Sequence, residues 1–177
     1  MKRFVAFLRG INVSGQKLIK METLRSAVTL AGYKNVKTYI QSGNLLFDSA
    51  AENENEIIND LENLIFSTFG FKTDIILRKK SDIEEFINSK HYNAFFADET
   101  KKHYITFLKN EYKDVFQIPL LSKNQDVEIV YRENRELISI SRIYKGTYGF
   151  PNAFIEKLTG IPATTRNPET IRRILEL

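Results

Sequence analysis

The sequence predicts an α+β protein made of two small subdomains of ferredoxin-like, βαββαβ-type order, with mainly antiparallel sheets and C-terminal helices. Three observations predict it. Apolar or alternating runs of strand length recur between segments of helical periodicity. In the first half these fall in the order strand, helix, strand, strand, helix, strand. The composition is globular, 42% hydrophobic and 27% charged, and a chain of 177 residues can bury roughly 70% of its unfolded surface. The expected division is a ferredoxin-like subdomain at 1–79 and a second α+β subdomain at 80–177. The connection near 78–81 is too short for a flexible linker, so the second is expected to pack tightly on the first.

Residues 3–9, Arg-Phe-Val-Ala-Phe-Leu-Arg, make a mostly apolar run suited to a buried strand. Met21, Leu24, Ala27, Val28 and Ala31 then recur at helical spacing, and Gly32 supplies the left-handed stop expected just past a helix. Val36, Thr38 and Ile40 alternate with Lys37, Tyr39 and Gln41, a Ser42-Gly43-Asn44 turn follows, and Leu45-Leu46-Phe47 resumes the extended run, so a hairpin is expected. Ile57, Ile58, Leu61, Leu64, Ile65 and Phe69 place a helix over 53–69 with Gly70 at its end, and the Lys72–Arg78 run supplies a further strand.

In the second half, Ser81-x-x-Glu84 reads as a capping box opening a helix that carries Ile83, Phe86 and Ile87 on one face. Tyr104–Leu108 is a strand, Tyr112–Leu121 is expected to hold a short helix ended by Pro119, and 126–142 contains two extended runs around Glu133-Asn134-Arg135. Helices are expected at 151–159 and 168–176, the latter with Asn167 as N-cap, Pro168 at the first position and Glu169 in the first turn.

Several classes drop out on composition. With no cysteine there is neither a disulfide framework nor a thiolate metal site, which suits a reducing compartment, and a cytoplasmic setting is the expectation. No apolar run is long enough to span a bilayer, so no membrane partner is expected. The net charge of +4 is spread through the chain and permits nucleic-acid binding without demanding it. The histidines, His91 and His103, are too far apart in sequence to suggest a metal cluster, and no cofactor or metal is expected.

Three polar clusters interrupt the core-driven pattern. Arg9-Gly10-Ile11-Asn12-Val13-Ser14-Gly15-Gln16-Lys17 lies between a strand and a helix, where glycine-freed amides and nearby cations can cradle a phosphate. It departs from a P-loop because Gln16 displaces the lysine by one position and Leu18 stands where a magnesium-binding hydroxyl belongs. Tyr39-Ile40-Gln41-Ser42-Gly43-Asn44 groups amides and a hydroxyl around a tight turn, although Gly43 and Asn44 also suit the positive φ that a hairpin needs. Thr164-Thr165-Arg166-Asn167 stands before the last helix, where hydroxyls and a guanidinium meet a helix N-terminus. A sheet-face nucleic-acid reading would use Phe4, Phe7, Tyr39 and Phe47, but the third strand lacks the basic-Gly-aromatic run of an RNA-recognition module, and core packing accounts for the rings better.

Leu8-Arg9-Gly10-Ile11-Asn12-Val13, Thr38-Tyr39-Ile40-Gln41-Ser42-Gly43-Asn44 and Ala163-Thr164-Thr165-Arg166-Asn167, in that order, resemble the bacterial family of unknown function DUF1697. The resemblance extends over nearly the whole chain and implies a two-part α+β fold with ferredoxin-like subdomains, with no established activity. This chain departs from the family pattern at Pro168, where the pattern continues with Trp, and at Phe150-Pro151, where it tends to show Ser-Lys.

The residues themselves point to one polar pocket lined by Arg9, Asn12, Gln41, Ser42, Asn44, Thr165 and Arg166, binding an anionic ligand such as a nucleotide, a nucleic-acid phosphate or a phosphorylated metabolite. Arg9 and Arg166 would neutralise charge, Ser42 and Thr165 would donate hydrogen bonds, and the three amides would orient the ligand. The alternatives are an enzyme acting on a small phosphorylated or carboxylated metabolite, with Lys17 or Tyr39 moving a proton, and a protein-interaction module.

Overall fold

A computed structural model describes residues 1–13, 15–96 and 101–177. The elements run β1 (Lys2–Leu8), α1 (Met21–Leu30), β2 (Lys34–Tyr39), β3 (Asn44–Ser49), α2 (Glu54–Phe69), β4 (Ile75–Lys79), α3 (Lys80–Asn88) and α4 (Lys90–Phe96). They continue with β5 (Lys102–Leu108), β6 (Leu120–Leu121), β7 (Val127–Glu133), β8 (Glu136–Ser141), β9 (Ile143–Tyr144), β10 (Thr147–Tyr148), α5 (Pro151–Thr159), β11 (Ala163–Arg166) and α6 (Pro168–Leu175). The chain divides into two compact units, Met1–Glu85 with Arg173–Leu177, and Phe86–Arg172.

The first unit carries a four-stranded antiparallel sheet in the order β2-β3-β1-β4. Strand alternation sends Phe4, Ala6, Leu8, Leu45, Phe47, Ile75 and Leu77 to one face, where they pack with Leu24 and Val28 of α1 and Ile57, Leu61 and Ile65 of α2. The opposite positions, Val5, Phe7, Leu46 and Ile76, are equally buried. The rings considered for stacking bases, Phe4, Phe7 and Phe47, are therefore core residues with no exposed surface. α2 starts where the Asn53 side chain accepts from the Asn55 amide at 3.0 Å and stops at Gly70, with φ 79°. α3 follows β4 without a gap, so Ser81 lies inside the helix. Its hydroxyl donates to the Asp82 carboxylate at 3.1 Å, which displaces the expected capping box.

The second unit carries an antiparallel sheet in the order β11-β5-β8-β7-β6. Its strands β5, β7, β8 and β11 repeat the neighbour order of β1, β2, β3 and β4, but no helix joins β5 to β7. The expected helix over 112–121 is replaced by an irregular segment ending in β6. Tyr112, Phe116 and Leu120 mimic a helical period, yet they pack on the core of Leu108, Ile129, Leu137, Ile155 and Ala163 without one. Arg132 takes the carbonyls of Tyr112 and Asp114 at 2.9 and 2.6 Å and lies over the Tyr112 and Phe116 rings at 5.3 and 5.1 Å, satisfying backbone groups that a helix would have used.

Residues 163–166, read as a polar segment before the last helix, form strand β11 instead. The Thr165 and Thr106 hydroxyls meet at 2.8 Å across the β11–β5 pair. β-branched threonines suit a buried pleat, and Ala163, Thr164 and Thr165 are all buried. Asn167 then caps α6 as expected, accepting from the Thr170 amide at 2.7 Å.

Candidate functional site

The loop from Arg9 to Lys20 is shaped by one side chain. Asn12, at φ 55°, accepts from the Ile19 amide at 2.8 Å and donates to the Ile19 carbonyl at 3.1 Å and the Gln41 carbonyl at 2.7 Å. An asparagine fits because it combines donor and acceptor on a short arm and tolerates the left-handed backbone. Both ends of the loop and the β2–β3 turn are thereby held together, which joins two of the polar clusters. A tight turn between Val13 and Gln16 forms the tip; Ser14 lies outside the described residues. Lys17 is turned away, donating to the Lys72 carbonyl at 2.8 Å. Arg9 lies 3.6 Å from the Asp74 carboxylate, and its carbonyl accepts from Thr73 at 2.6 Å.

The β2–β3 turn spans 40–43, between Tyr39 and Asn44, which face each other. The positive φ values fall on Ile40 (48°) and Gly43 (75°), not on Asn44 as the sequence suggested. Asn44 is instead the fully buried first residue of β3, donating to the Tyr39 carbonyl at 3.0 Å and the Ser42 hydroxyl at 2.9 Å. Gly43 is required twice over: by its φ, and because a Cβ would come within 2.9 Å of Leu8 and Ile11 side-chain atoms. Ile40 is exposed and β-branched in a conformation such residues rarely adopt.

Between loop and turn lies a cleft of about 680 Å³ lined by Asn12, Leu18, Ile19, Lys20, Met21, Glu22, Arg25 and Gln41. It opens at the N-terminus of α1, where Lys20 is the N-cap residue and offers no side-chain cap. The first amides of a helix carry a positive end field. Arg25 is positioned by donating to the Thr38 hydroxyl at 2.6 Å. Lys20 and Arg25 stand against Glu22, so the lining bears a net positive charge.

The third cluster belongs to the second unit. Thr165 is buried, sharing its hydroxyl with Thr106 and donating to Asn152 of α5 at 3.1 Å. Arg166 donates to the Thr164 hydroxyl at 2.6 Å and the Thr165 carbonyl at 2.9 Å. Burial lowers the pKa of its guanidinium to about 10, which leaves it charged at neutral pH. Among the described residues no group of three or more His, Asp or Glu side chains is placed to hold a metal ion, and no helix is long and apolar enough to cross a membrane.

A family described as "Protein of unknown function (DUF1697)" matches residues 1–137. The chain belongs to the DUF1697 family. Among solved structures, the conserved bacterial protein SP0830 from Streptococcus pneumoniae is similar over 99% of this chain and 97% of that one, with a TM-score of 0.70 and 21% identity. That likeness shows the fold. No curated protein matches.

The part of this DUF1697 chain that matches the family includes both segments framing the cleft, while β11 lies beyond it. Of the residues singled out from sequence, Asn12 and Gln41 line the cleft, whereas Ser42 and Asn44 build the turn beneath it. Lys20, Glu22 and Arg25 escaped the sequence reading because they belong to the amphipathic pattern of α1 and its approach. A lysine at the N-cap position, where Ser, Thr, Asn or Asp is preferred, is the signal that was there to be read.

Proposed function

We propose that this protein binds a small anionic ligand, a nucleotide or a phosphorylated metabolite, in the cleft at the start of α1. The observation that carries the reading is the Asn12 clamp, which holds the loop and the turn at fixed separation over a positively charged lining. Arg25, already oriented by Thr38, supplies a directional charge for a phosphate, and Lys20 a mobile one. The first amides of α1 complement them. Gln41 is the neutral hydrogen-bonding wall, and Glu22 favours ligands that also present a donor, as a ribose or a sugar does. Arg9, Ser42 and Asn44 act in this reading as the frame rather than as contacts. The absence of cysteine suits a cytoplasmic setting for such a ligand.

Titration calorimetry of the intact protein against nucleotides, sugar phosphates and inorganic pyrophosphate tests this. Loss of a hydrogen bond to a charged partner weakens binding roughly ten- to a hundredfold, so Arg25→Ala and Lys20→Ala are each expected to do so, and Gln41→Ala less. A ligand of this class that binds equally well to the Arg25→Ala/Lys20→Ala protein would show that the site lies elsewhere.

A further inference from the structure

Residues 142–150, Arg-Ile-Tyr-Lys-Gly-Thr-Tyr-Gly-Phe, leave the second sheet after β8 and return at the start of α5. β9 and β10 form a hairpin whose two turn residues, Lys145 and Gly146, both have positive φ (48° and 83°), the geometry that matches strand twist in the tightest hairpins. Its base is fixed. The Gly149 amide donates to the Arg142 carbonyl at 3.1 Å, the Arg142 amide to the Asp126 carbonyl at 2.8 Å, and the Arg142 guanidinium pairs with Glu128. Gly149 lies so close to Asp126 that a Cβ would come within 2.6 Å of its carbonyl oxygen.

On this fixed base the apolar side chains face water: Ile143 is 63% exposed, Tyr144 39%, Tyr148 48% and Phe150 56%. Such a concentration of apolar surface in nine residues marks an interaction site. Two of the rings are paired with cations: the Lys102 ammonium sits 4.4 Å from the Tyr148 ring centre, and the Lys145 ammonium 5.4 Å from that of Tyr144. Phe150 stands edge-on to Tyr104 at 5.5 Å, which fixes its orientation. The segment itself carries two basic residues and no acidic one.

We propose that this hairpin binds single-stranded nucleic acid. Exposed rings, each with an ammonium over one face, fit a strand whose bases stack on the remaining ring surface while its phosphates meet the lysines, a combination that tolerates any sequence. Tyr148 shares a hairpin face with Ile143, and Tyr144 lies on the other with Thr147, so a bound strand wraps the hairpin edge. A duplex hides its base faces and has no comparable fit. The site involves neither the cleft nor the sheet of the first unit.

The test is fluorescence anisotropy of short labelled oligo-dT, oligo-U and a duplex with the intact protein, alongside quenching of its tyrosine emission, which is readable because the chain has no tryptophan. Single strands are expected to bind in preference to duplex, with oligo-dT against oligo-U deciding between DNA and RNA. Each of Tyr144→Ala and Tyr148→Ala is expected to weaken binding about tenfold, while Tyr148→Phe retains it. Two lysine–phosphate contacts give log K against log salt a slope of about −1.4, which Lys102→Gln with Lys145→Gln should flatten. Arg25→Ala, which cancels the net positive charge of the cleft lining, should leave oligonucleotide binding intact. The proposal is overturned if the intact protein binds no oligonucleotide, if a Tyr144→Ala/Tyr148→Ala protein of unchanged melting temperature binds as tightly, or if those substitutions abolish only self-association.

Discussion

Gly43 and Asn12 do different work for the same cleft, and single substitutions separate them. Gly43→Ala adds a methyl where φ is 75° and where Leu8 and Ile11 leave no room, so left-handed strain and overpacking together should cost about 2–4 kcal/mol in urea denaturation. Asn12→Ala leaves the fold's core untouched but removes three hydrogen bonds. It should cost about 1–3 kcal/mol and weaken ligand binding without removing any charge. Glycine at 43 was legible from the turn pattern, whereas the partners of Asn12 were not, because they lie 7 and 29 positions away. Tyr131 offers a readout independent of any ligand. Burial, reinforced by its hydrogen bond to Glu133, pushes its phenol up from 10.0 to about 12. The folded protein keeps a proton that the unfolded chain has lost, so this group's contribution to stability is present below pH 10 and disappears as pH rises towards 12. Burial also raises Tyr33 and Tyr92, so a phenolate absorbance titration should show a group of late-ionising tyrosines that loses one member in Tyr131→Phe and has that member titrate earlier in Glu133→Gln.

Among the elements, α6 depends on its cap and the β5–β7 crossover on its staple. Asn167→Ala removes the bond to the Thr170 amide and should lower stability by about 1 kcal/mol, seen as a small fall in melting temperature. Arg132→Ala frees the Tyr112 and Asp114 carbonyls and strips the cation from two rings. Its cost of about 2 kcal/mol should appear chiefly as faster amide exchange between residues 109 and 121. The helices α1 and α2 were legible because an apolar period runs up to a glycine just past each end, and α6 because Asn167, Pro168 and Glu169 make a helix start. The crossover was not, since Tyr112, Phe116 and Leu120 keep a helical spacing that only the distant Arg132 overrides. β11 was missed because four residues are too few to display a period, and the helix that follows supplied a competing reason for polar side chains.

At the scale of the molecule, the two units use one strand order under different covers. Two helices lie on the first sheet, while α5 and an irregular segment pack against the second core. Hydrogen exchange should therefore be slowest in β1 and β3, where the flanking core is complete, and the second unit should open more readily around 109–126. The sequence displayed the order of the first unit plainly but concealed that its last piece arrives from the far end of the chain. Arg173–Leu177 belong to the first unit, with Ile174 fully buried and the Leu177 oxygen accepting from Arg3 at 3.3 Å. Ile174→Ala should cost about 2–5 kcal/mol, most of it in the first unit despite lying beyond the second in sequence. That return also orders events on the ribosome. Nearly all of the first unit emerges early, yet its closing residues leave the exit tunnel only after the second unit has been translated. The nascent first unit therefore waits, incomplete, through the synthesis of the second, and reaches its native stability only once residues 173–177 have emerged.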